Sequence, residues 1–277
     1  MTVTRYVTLA YGDRPDVYRQ SVMLLVSLVA FAPEPYELVV ATDRPECYVW
    51  FGTRVDIQFL DRSLLDTWRG REPFSMRSKL MLLGAAWPEH GAIALVDADA
   101  LARADLSPFV EGLDAGALFM HKREYTLSQS RRPGNRRLWK ALRRTPLEGY
   151  TPSPEDAMWN SGVVGASASD RPLLDRAAAL YDELGRQGVR HFAGEQLVES
   201  LVFGPTGRLR AAEPWFTHYW GNRPGYDAEI ARRLAAAFLE GMTVKEAAAD
   251  YRRRPLDLPA GVRPTRADKV RRWLSGS

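Results

Sequence analysis

The sequence has little cysteine and no long apolar segment. Cys47 is the only cysteine among 277 residues, so an intrachain disulfide and a four-cysteine zinc site are excluded and a reducing compartment is favoured. The longest nearly apolar run, residues 22–32, spans 11 residues, whereas a membrane-crossing helix needs about 20. The first residues also lack the charged start, apolar stretch and cleavage site of a signal peptide. These absences predict a cytoplasmic protein that does not cross a bilayer.

Positive charge is concentrated in two segments. Residues 121–144 contain nine Lys or Arg and one acid, and residues 252–277 contain eight Lys or Arg and two acids. Because the whole chain carries only +4, the rest of it is net acidic, which argues against a protein that coats nucleic acid. Two interpretations of the basic segments stay open: peripheral contact with a phosphate-rich partner or the inner membrane surface, or two solvated loops.

Hydrophobic patterning in the first hundred residues alternates between strands and helices. Strands are predicted at residues 3–10, 36–41, 54–60 and 92–96, with a helix beginning near Pro15 and another over about 75–87. This alternation predicts an α/β fold with a mostly parallel, Rossmann-like central sheet flanked by helices. Ligands of such sheets bind beyond the carboxyl ends of the strands.

The second half of the chain is less regular. A short strand is predicted at 117–120, a functional or mobile loop from there to about residue 154, and a further strand at 158–166. Helices are predicted at 171–186, 194–202, 227–239, 243–251 and 267–274, with a capping box formed by Thr243 and Glu246. We therefore expect a sheet-containing domain over residues 1–225 and a basic helical C-terminal extension over 226–277.

Two aspartates follow the apolar strand at 92–96. Asp97 and Asp99 are two residues apart, so both carboxylates project on the same side at the sheet's ligand-binding edge. Adjacent anions repel unless a cation joins them, and Mg²⁺ or Mn²⁺ would do so while binding a diphosphate. A pair of solvated turn aspartates is the alternative interpretation.

The acidic motif and its surroundings resemble a known enzyme family. Asp97-Ala98-Asp99 followed by Asp105-Leu106-Ser107-Pro108-Phe109 is similar to the "DxD … DLSPL" region of GT-A-fold nucleotide-sugar glycosyltransferases, nearest to glycosyltransferase family 8. Four more landmarks resemble family motifs and occur in the family's order. They are Tyr11 with Asp13, Trp159-Asn160-Ser161-Gly162, Gly194-Glu195-Gln196, and His218-Tyr219-Trp220-Gly221.

The resemblance implies a GT-A-like catalytic domain and a metal held by Asp97, Asp99 and His218. Two carboxylates and one imidazole suit Mn²⁺ somewhat better than Mg²⁺. The implied reaction is transfer of a sugar from a nucleoside diphosphate donor, with a UDP-sugar favoured, to an acceptor hydroxyl in bacterial surface-glycan or glycolipid synthesis.

The resemblance also implies donor-binding residues, which we expect in addition to Asp97. They are Tyr11, Asp13, Arg77, Lys79, Gly221 and Arg223. Arg223 stands beside Pro224, which occupies the position of the family's usual lysine. A solvated helix face for Arg77 and Lys79, and simple packing for Tyr11, are the competing interpretations.

Glu195, Gln196 and Asn160 are the expected catalytic residues. If the reaction inverts stereochemistry, Glu195 would deprotonate the acceptor hydroxyl. If it retains stereochemistry, Gln196 or Glu195 would stabilise an oxocarbenium-like centre. Asn160 would form a hydrogen bond with a sugar hydroxyl or with the acceptor; the alternative is that its amide, buried in a strand, has structural partners.

The sequence also indicates which partners to expect and leaves two rival functions to consider. The acceptor is expected to be a saccharide or a lipid-linked one, with no nucleic acid partner. Peripheral membrane contact through 121–144 and 252–277 is one of the two open interpretations of those segments. A haloacid-dehalogenase-type phosphohydrolase also uses Asp-x-Asp after a strand, and a nucleic-acid-binding protein could use the helix predicted at 243–251. Leu101 does not fit the first pattern, and Pro255 interrupts the chain where a recognition helix should begin.

Overall fold

The computed structural model describes residues 2–70, 76–189 and 191–259. Nine strands occur in this part of the chain: β1 (Thr4–Ala10), β2 (Tyr36–Thr42), β3 (Val55–Phe59), β4 (Ala92–Val96), β5 (Ala100–Ala102), β6 (Leu118–Thr126), β7 (Ala157–Ser167), β8 (Leu209–Ala211) and β9 (Phe216–His218). The α-helices are α1 (Pro15–Phe31), α2 (Arg62–Arg69), α3 (Arg77–Ala85), α4 (Ser107–Asp114), α5 (Pro133–Leu142), α6 (Arg171–Arg186), α7 (Gly194–Phe203), α8 (Arg223–Leu239) and α9 (Val244–Arg253).

Seven strands form the central sheet in the order β3-β2-β1-β4-β7-β6-β8, and β5 pairs with β9 in a small second sheet. Strands β3, β2, β1 and β4 are mutually parallel, as are β6 and β8, whereas β7 is antiparallel to both β4 and β6. The predicted α/β class and mostly parallel sheet are therefore confirmed. Because β7 runs opposite to β4, Val163 in the middle of β7 pairs with Val96 at the carboxyl end of β4. The first half of β7 therefore extends beyond that end, where ligands are expected.

Helices cover both faces of the sheet. In β4, Ala92, Ala94 and Val96 point into one core with α1, α8 and α9, while Ile93 and Leu95 point into the other with α3, α6 and α7. Burying a Leu- or Ile-sized side chain stabilises the fold by about 1.5–3 kcal/mol. The wholly apolar β4 is thus explained by burial on both sides, which fixes the position of its carboxyl end.

The stretch after residue 120 is not the single long loop that the sequence predicts. Strand β6 continues to Thr126, and α5 follows it. Only three residues of α5, Asn135, Leu138 and Leu142, are buried, and they lie at helical spacing on one face. The apolar pattern of this helix in the sequence is therefore weak. Proline at the first turn begins the helix, and arginines occupy its exposed face.

The C-terminal helices α8 and α9 pack against α1 and share its core through Tyr226, Ile230 and Tyr251. The predicted capping box is confirmed, since the Thr243 hydroxyl accepts from the Glu246 backbone and the Glu246 carboxylate accepts from the Thr243 backbone. The domain division at residue 225 stays a prediction. Parts of three predicted segments lie outside the described residues. They are Ser75 of the helix predicted at 75–87, the whole helix predicted at 267–274, and residues 260–277 of the basic tail. Within the described ranges, no helix is both long and apolar enough to span a bilayer.

Candidate active site

The small β5–β9 sheet brings distant residues to the end of β4. Asp97 and Asp99 lie in the turn between β4 and β5, and Ala100 of β5 is paired with His218 of β9. The backbone of the turn is tied down by hydrogen bonds from the Asp97 amide to the Gly162 carbonyl (2.9 Å) and from the Tyr219 amide to the Asp99 carbonyl (3.1 Å). No local pattern predicts this sheet, because β5 and β9 have three residues each.

Asp97, Asp99 and His218 converge on one point. One ligand atom from each lies within 4.8 Å of the others. The His218 Nε2 atom is 3.2 Å from an Asp99 oxygen and 3.9 Å from an Asp97 oxygen. Two carboxylates and one imidazole are a donor set that fits a divalent metal ion.

The orientation of the His218 ring is fixed from behind by Asn160. Its Oδ1 atom accepts a hydrogen bond from the Gly162 backbone amide (3.0 Å) and lies 2.7 Å from His218 Nδ1. The amide oxygen can only accept, so Nδ1 donates to it, and Nε2 is the ring nitrogen that faces the two aspartates. The structure thus places Asn160 behind the histidine, whereas the sequence predicted contact with a sugar hydroxyl, which stays a prediction.

Gly162 allows the histidine to approach β7. A Cβ atom at this position would lie 2.2 Å from His218 Nδ1, far closer than two such atoms can approach. The glycine of the Asn-Ser-Gly motif is therefore required for close packing of the ring on the strand.

Two cationic side chains contact the aspartates. Lys79 Nζ is 2.7 Å from Asp97 Oδ2, and Arg223 Nε is 2.8 Å from Asp99 Oδ2. Burial by itself would raise the pKa of Asp99, but its hydrogen bond to His218 and the Arg223 guanidinium outweigh burial and hold that pKa well below its usual range. Burial would lower the pKa of Lys79, yet Asp97 and Glu195 raise it overall. Asp99 is therefore an anion and Lys79 a cation at neutral pH.

Glu195 and Gln196 lie in the first turn of α7 and contact Ser161 of β7. Glu195 is buried, lies 3.6 Å from Lys79 Nζ and accepts from the Ser161 hydroxyl at 3.3 Å. Burial raises its pKa, and Lys79 opposes that shift. The Gln196 Oε1 atom accepts from the Ser161 backbone (3.3 Å). The structure therefore brings Glu195, Lys79 and Asp97 into one chain of contacts.

Two acids at the site were missed by sequence reasoning. Glu124 accepts from Asn160 Nδ2 (3.4 Å) and from Gln196 Nε2 (3.1 Å). In the sequence, Glu124 stands out only as the single acidic residue of the basic segment 121–144. Glu199 lies one helical turn beyond Glu195, is fully buried, and has no hydrogen-bond partner for either carboxylate oxygen within the described chain. Burial, reinforced by Glu195, raises its pKa well above the ordinary value.

The other predicted donor-binding residues lie around this cluster. Tyr11 follows β1, and the Arg69 guanidinium lies 4.9 Å from the centre of its ring. Asp13 is exposed on the next turn, and Gly221 is exposed just before α8. Arg77 pairs with Asp182 of α6 at 2.8 Å. Their contacts with a donor stay predictions.

Comparison with known proteins gives a structural match only. No protein-family model matches the chain, and no curated protein matches it in sequence. The fold is similar to the crystal structure of mouse xyloside xylosyltransferase 1 in its apo form, with a TM-score of 0.50, 12% identity, and coverage of 76% of this chain and 85% of that one. The assignment to glycosyltransferase family 8 stays a prediction. The chain therefore has a GT-A-like α/β fold with a candidate divalent-metal site at the carboxyl end of β4.

Proposed function

We propose that the protein is a metal-dependent glycosyltransferase that moves a sugar from a nucleoside diphosphate donor to an acceptor hydroxyl. The observation that carries the proposal is the convergence of Asp97, Asp99 and His218 beyond the end of β4, in a fold similar to that of a xylosyltransferase. Ligand binding beyond the carboxyl ends of strands is the rule for open α/β sheets.

Asp97, Asp99 and His218 would hold the ion, with Mn²⁺ favoured over Mg²⁺ because one ligand is an imidazole. When bound, the ion neutralises the negative charge that develops on the departing diphosphate. Asn160 orients His218 for this task, and mutations of such supporting residues typically cost 10–100-fold in metal affinity.

Arg223 is a candidate residue for binding the phosphate groups of the donor. It is the first residue of α8, where the helix dipole also favours an anion, and its side chain is 44% exposed although its partner Asp99 is buried. The Asp99 carboxylate that contacts the Arg223 guanidinium is also one of the residues that would hold a metal ion, so the two cations would compete for it. Arg223 would then turn to the donor diphosphate, to which arginine can bind through two hydrogen bonds.

Glu195 and Gln196 would act at the sugar carbon. Glu195 is only 3% exposed and contacts Lys79, so an acceptor hydroxyl has little access to it. This arrangement favours a role in stabilising positive charge on the sugar over direct deprotonation of the acceptor. It supports the retaining alternative, in which a donor phosphate oxygen takes the acceptor proton.

The substrates are proposed from chemistry and from surface charge. We favour a UDP-sugar donor and a saccharide or lipid-linked acceptor of a bacterial surface glycan or glycolipid. Arg136, Arg137 and Lys140 are exposed on α5, which supports contact of the 121–144 segment with an anionic acceptor or membrane surface.

Donor turnover tests the proposal. UDP- and GDP-sugars are incubated with the protein and Mn²⁺, and release of the nucleoside diphosphate is measured with and without excess EDTA. We expect release from one donor class, lost in EDTA and in Asp97→Asn, and retained in the control Glu111→Gln on the exposed face of α4. Turnover that is undiminished in EDTA would contradict a metal-dependent transferase.

A further inference from the structure

Helix α5 and the residues next to it present a surface of unpaired positive charge. Asn135, Leu138 and Leu142 are buried, whereas the basic residues around them are all exposed. The exposed basic residues, which we call the α5 cationic face, are Arg131, Arg132, Arg136, Arg137, Lys140, Arg143 and Arg144. No acid occurs in the sequence between Glu124 and Glu148, and within the described ranges no residue of this face forms an ion pair.

The lack of ion pairs distinguishes the α5 cationic face from the arginines of the C-terminal helices. In α8 two arginines share Glu229, at 2.6 and 2.9 Å, and at the end of α9 two arginines share Asp250, at 3.2 and 2.6 Å. Like charges that lie close together on a helix repel one another and destabilise it. The cluster on α5 therefore destabilises the helix unless anions from outside the chain join it.

The α5 cationic face lies at the end of the molecule that carries the candidate metal group. Strand β6 is antiparallel to β7, and β7 is antiparallel to β4, so the carboxyl ends of β6 and β4 lie at the same end of the sheet. Asp97 follows the end of β4, and residues 127–132 connect the end of β6 to α5. The Leu127 amide donates to the Asp156 carbonyl (2.8 Å), which ties this connection to the chain just before β7. A partner bound to α5 is therefore at the end of the molecule where an acceptor must enter.

The form of the surface favours an extended anionic partner over a small anion. Arg136, Lys140 and Arg143 follow one another at helical spacing and span about 10 Å of the outward face. Small ligands bind in concave sites where polar groups converge, whereas these side chains project outward from a convex helix. The Arg143 guanidinium also lies 5.6 Å from the centre of the half-buried Trp139 ring, and tryptophan is enriched where proteins meet the headgroups of a bilayer.

We propose that the α5 cationic face is a docking surface for a bilayer that contains anionic lipids, whose headgroups supply the anions that the chain lacks there. The inference rests on the proposed function, which leaves the partner of this segment open between an anionic acceptor and a membrane. Nucleic acid is a less suitable partner, because the chain outside its two basic segments is net acidic and would repel a long polyanion.

Sedimentation with vesicles tests the surface on the full chain without donor or metal. The vesicles consist of phosphatidylcholine alone, or of phosphatidylcholine and phosphatidylglycerol in equal parts. The test variant is Arg136→Gln/Arg137→Gln/Lys140→Gln. The control variant, Arg54→Gln/Arg210→Gln/Lys245→Gln, removes the same charge from exposed residues outside α5 that form no ion pair within the described chain. Calorimetry of inorganic pyrophosphate and of a single-stranded DNA oligonucleotide, on the same samples, tests the other anions.

We expect the wild type to bind the anionic vesicles but not those of phosphatidylcholine alone, and we expect added salt to weaken the binding. Each Lys or Arg near an anionic bilayer strengthens binding by about fivefold, so the test variant should bind at least about tenfold more weakly. The control variant should stay within about threefold of the wild type, because its substitutions lie outside the contact. Urea unfolding should show that neither variant is less stable than the wild type, since the substituted residues are exposed and unpaired.

No binding of the wild type to anionic vesicles, or equal weakening in the two variants, would overturn the docking surface. Equal weakening would be the result if residues 260–277, present in every sample, were the part that binds vesicles. Binding of pyrophosphate or DNA through the same three residues, in place of vesicle binding, would also overturn it. Calorimetry of UDP with Mn²⁺ reports separately on the proposed function: UDP binding without vesicle binding refutes only the docking surface, and vesicle binding without UDP binding refutes only the transferase.

Discussion

Replacing Gly162 with alanine is the most informative perturbation of the site, because it adds one methyl group and removes no ligand. The new Cβ atom would lie 2.2 Å from His218 Nδ1, and an ordinary contact begins at 3.4 Å. The ring or the strand must therefore move by about 1.2 Å, whereas metal–ligand distances tolerate shifts of only about 0.2 Å. The hydrogen bond to Asn160 is lost with the same movement.

The expected cost is a weaker metal site together with a modest loss of stability. We expect Mn²⁺ affinity to fall by about 10–100-fold, as for other losses of supporting contacts. The free energy of unfolding should fall by about 1–3 kcal/mol from overpacking. Free Mn²⁺ counted by electron paramagnetic resonance measures the first quantity, and urea unfolding measures the second.

Two further variants make the reasoning refutable. Gly165→Ala adds the same methyl group three residues along β7, against Phe109 at 3.0 Å, and should destabilise the fold without affecting Mn²⁺. In a His218→Ala background the clash disappears, so adding Gly162→Ala should change neither stability nor Mn²⁺ affinity appreciably. If Gly162→Ala binds Mn²⁺ like the wild type, His218 is not a metal ligand as argued.

Two other predictions concern charges in and behind the site. Arg223→Gln should tighten Mn²⁺ binding by up to about fivefold, because the half-exposed ion pair that it removes from Asp99 contributes about 1 kcal/mol at most. The same substitution should weaken the binding of UDP. Paramagnetic resonance measures the first effect and calorimetry the second, and weaker Mn²⁺ binding would show that Arg223 and the ion do not compete for Asp99. Glu199→Gln should stabilise the fold more at pH 8 than at pH 5. Since the raised pKa keeps Glu199 protonated in the native state while the unfolded chain ionises above about pH 4.3, wild-type stability falls as pH rises toward the folded pKa, by up to about 1.4 kcal/mol per pH unit. Urea unfolding at both pH values checks this, and an equal effect at the two would show that Glu199 is ionised.

The parts of the fold that follow from local patterns were predictable. The apolar strand before Asp97 and Asp99 is buried on both faces, so its run of five apolar residues was a reliable signal, and the two acids beyond it could be placed at the ligand-binding edge. Helix α5 was missed because only three of its residues are buried and its exposed residues include Arg136, Arg137 and Lys140. From sequence alone, a charged segment that lacks an obvious apolar stripe cannot be distinguished from a loop.

The remaining features of the site depend on contacts between distant residues. The approach of His218 to Asp99 requires two three-residue strands more than a hundred positions apart, and strands so short carry no periodicity. His218 entered the predicted metal group only through resemblance to a family. The position of Asn160 behind the imidazole and the redirection of Glu124 by a bulge are likewise properties of strand register, which residue types alone do not specify.

Calorimetry of UDP with and without Mn²⁺, on the wild type and on Asp99→Asn, tests the central claim most directly. Asp105→Asn is the matched control, because Asp105 is an exposed aspartate that hydrogen-bonds only to Ser107 within the described chain. Our account predicts that Mn²⁺ strengthens UDP binding by at least about tenfold in the wild type and the control, and that Asp99→Asn removes this gain. Binding of UDP that is equally tight in EDTA, or that Asp99→Asn leaves unchanged, would contradict the metal-dependent donor site.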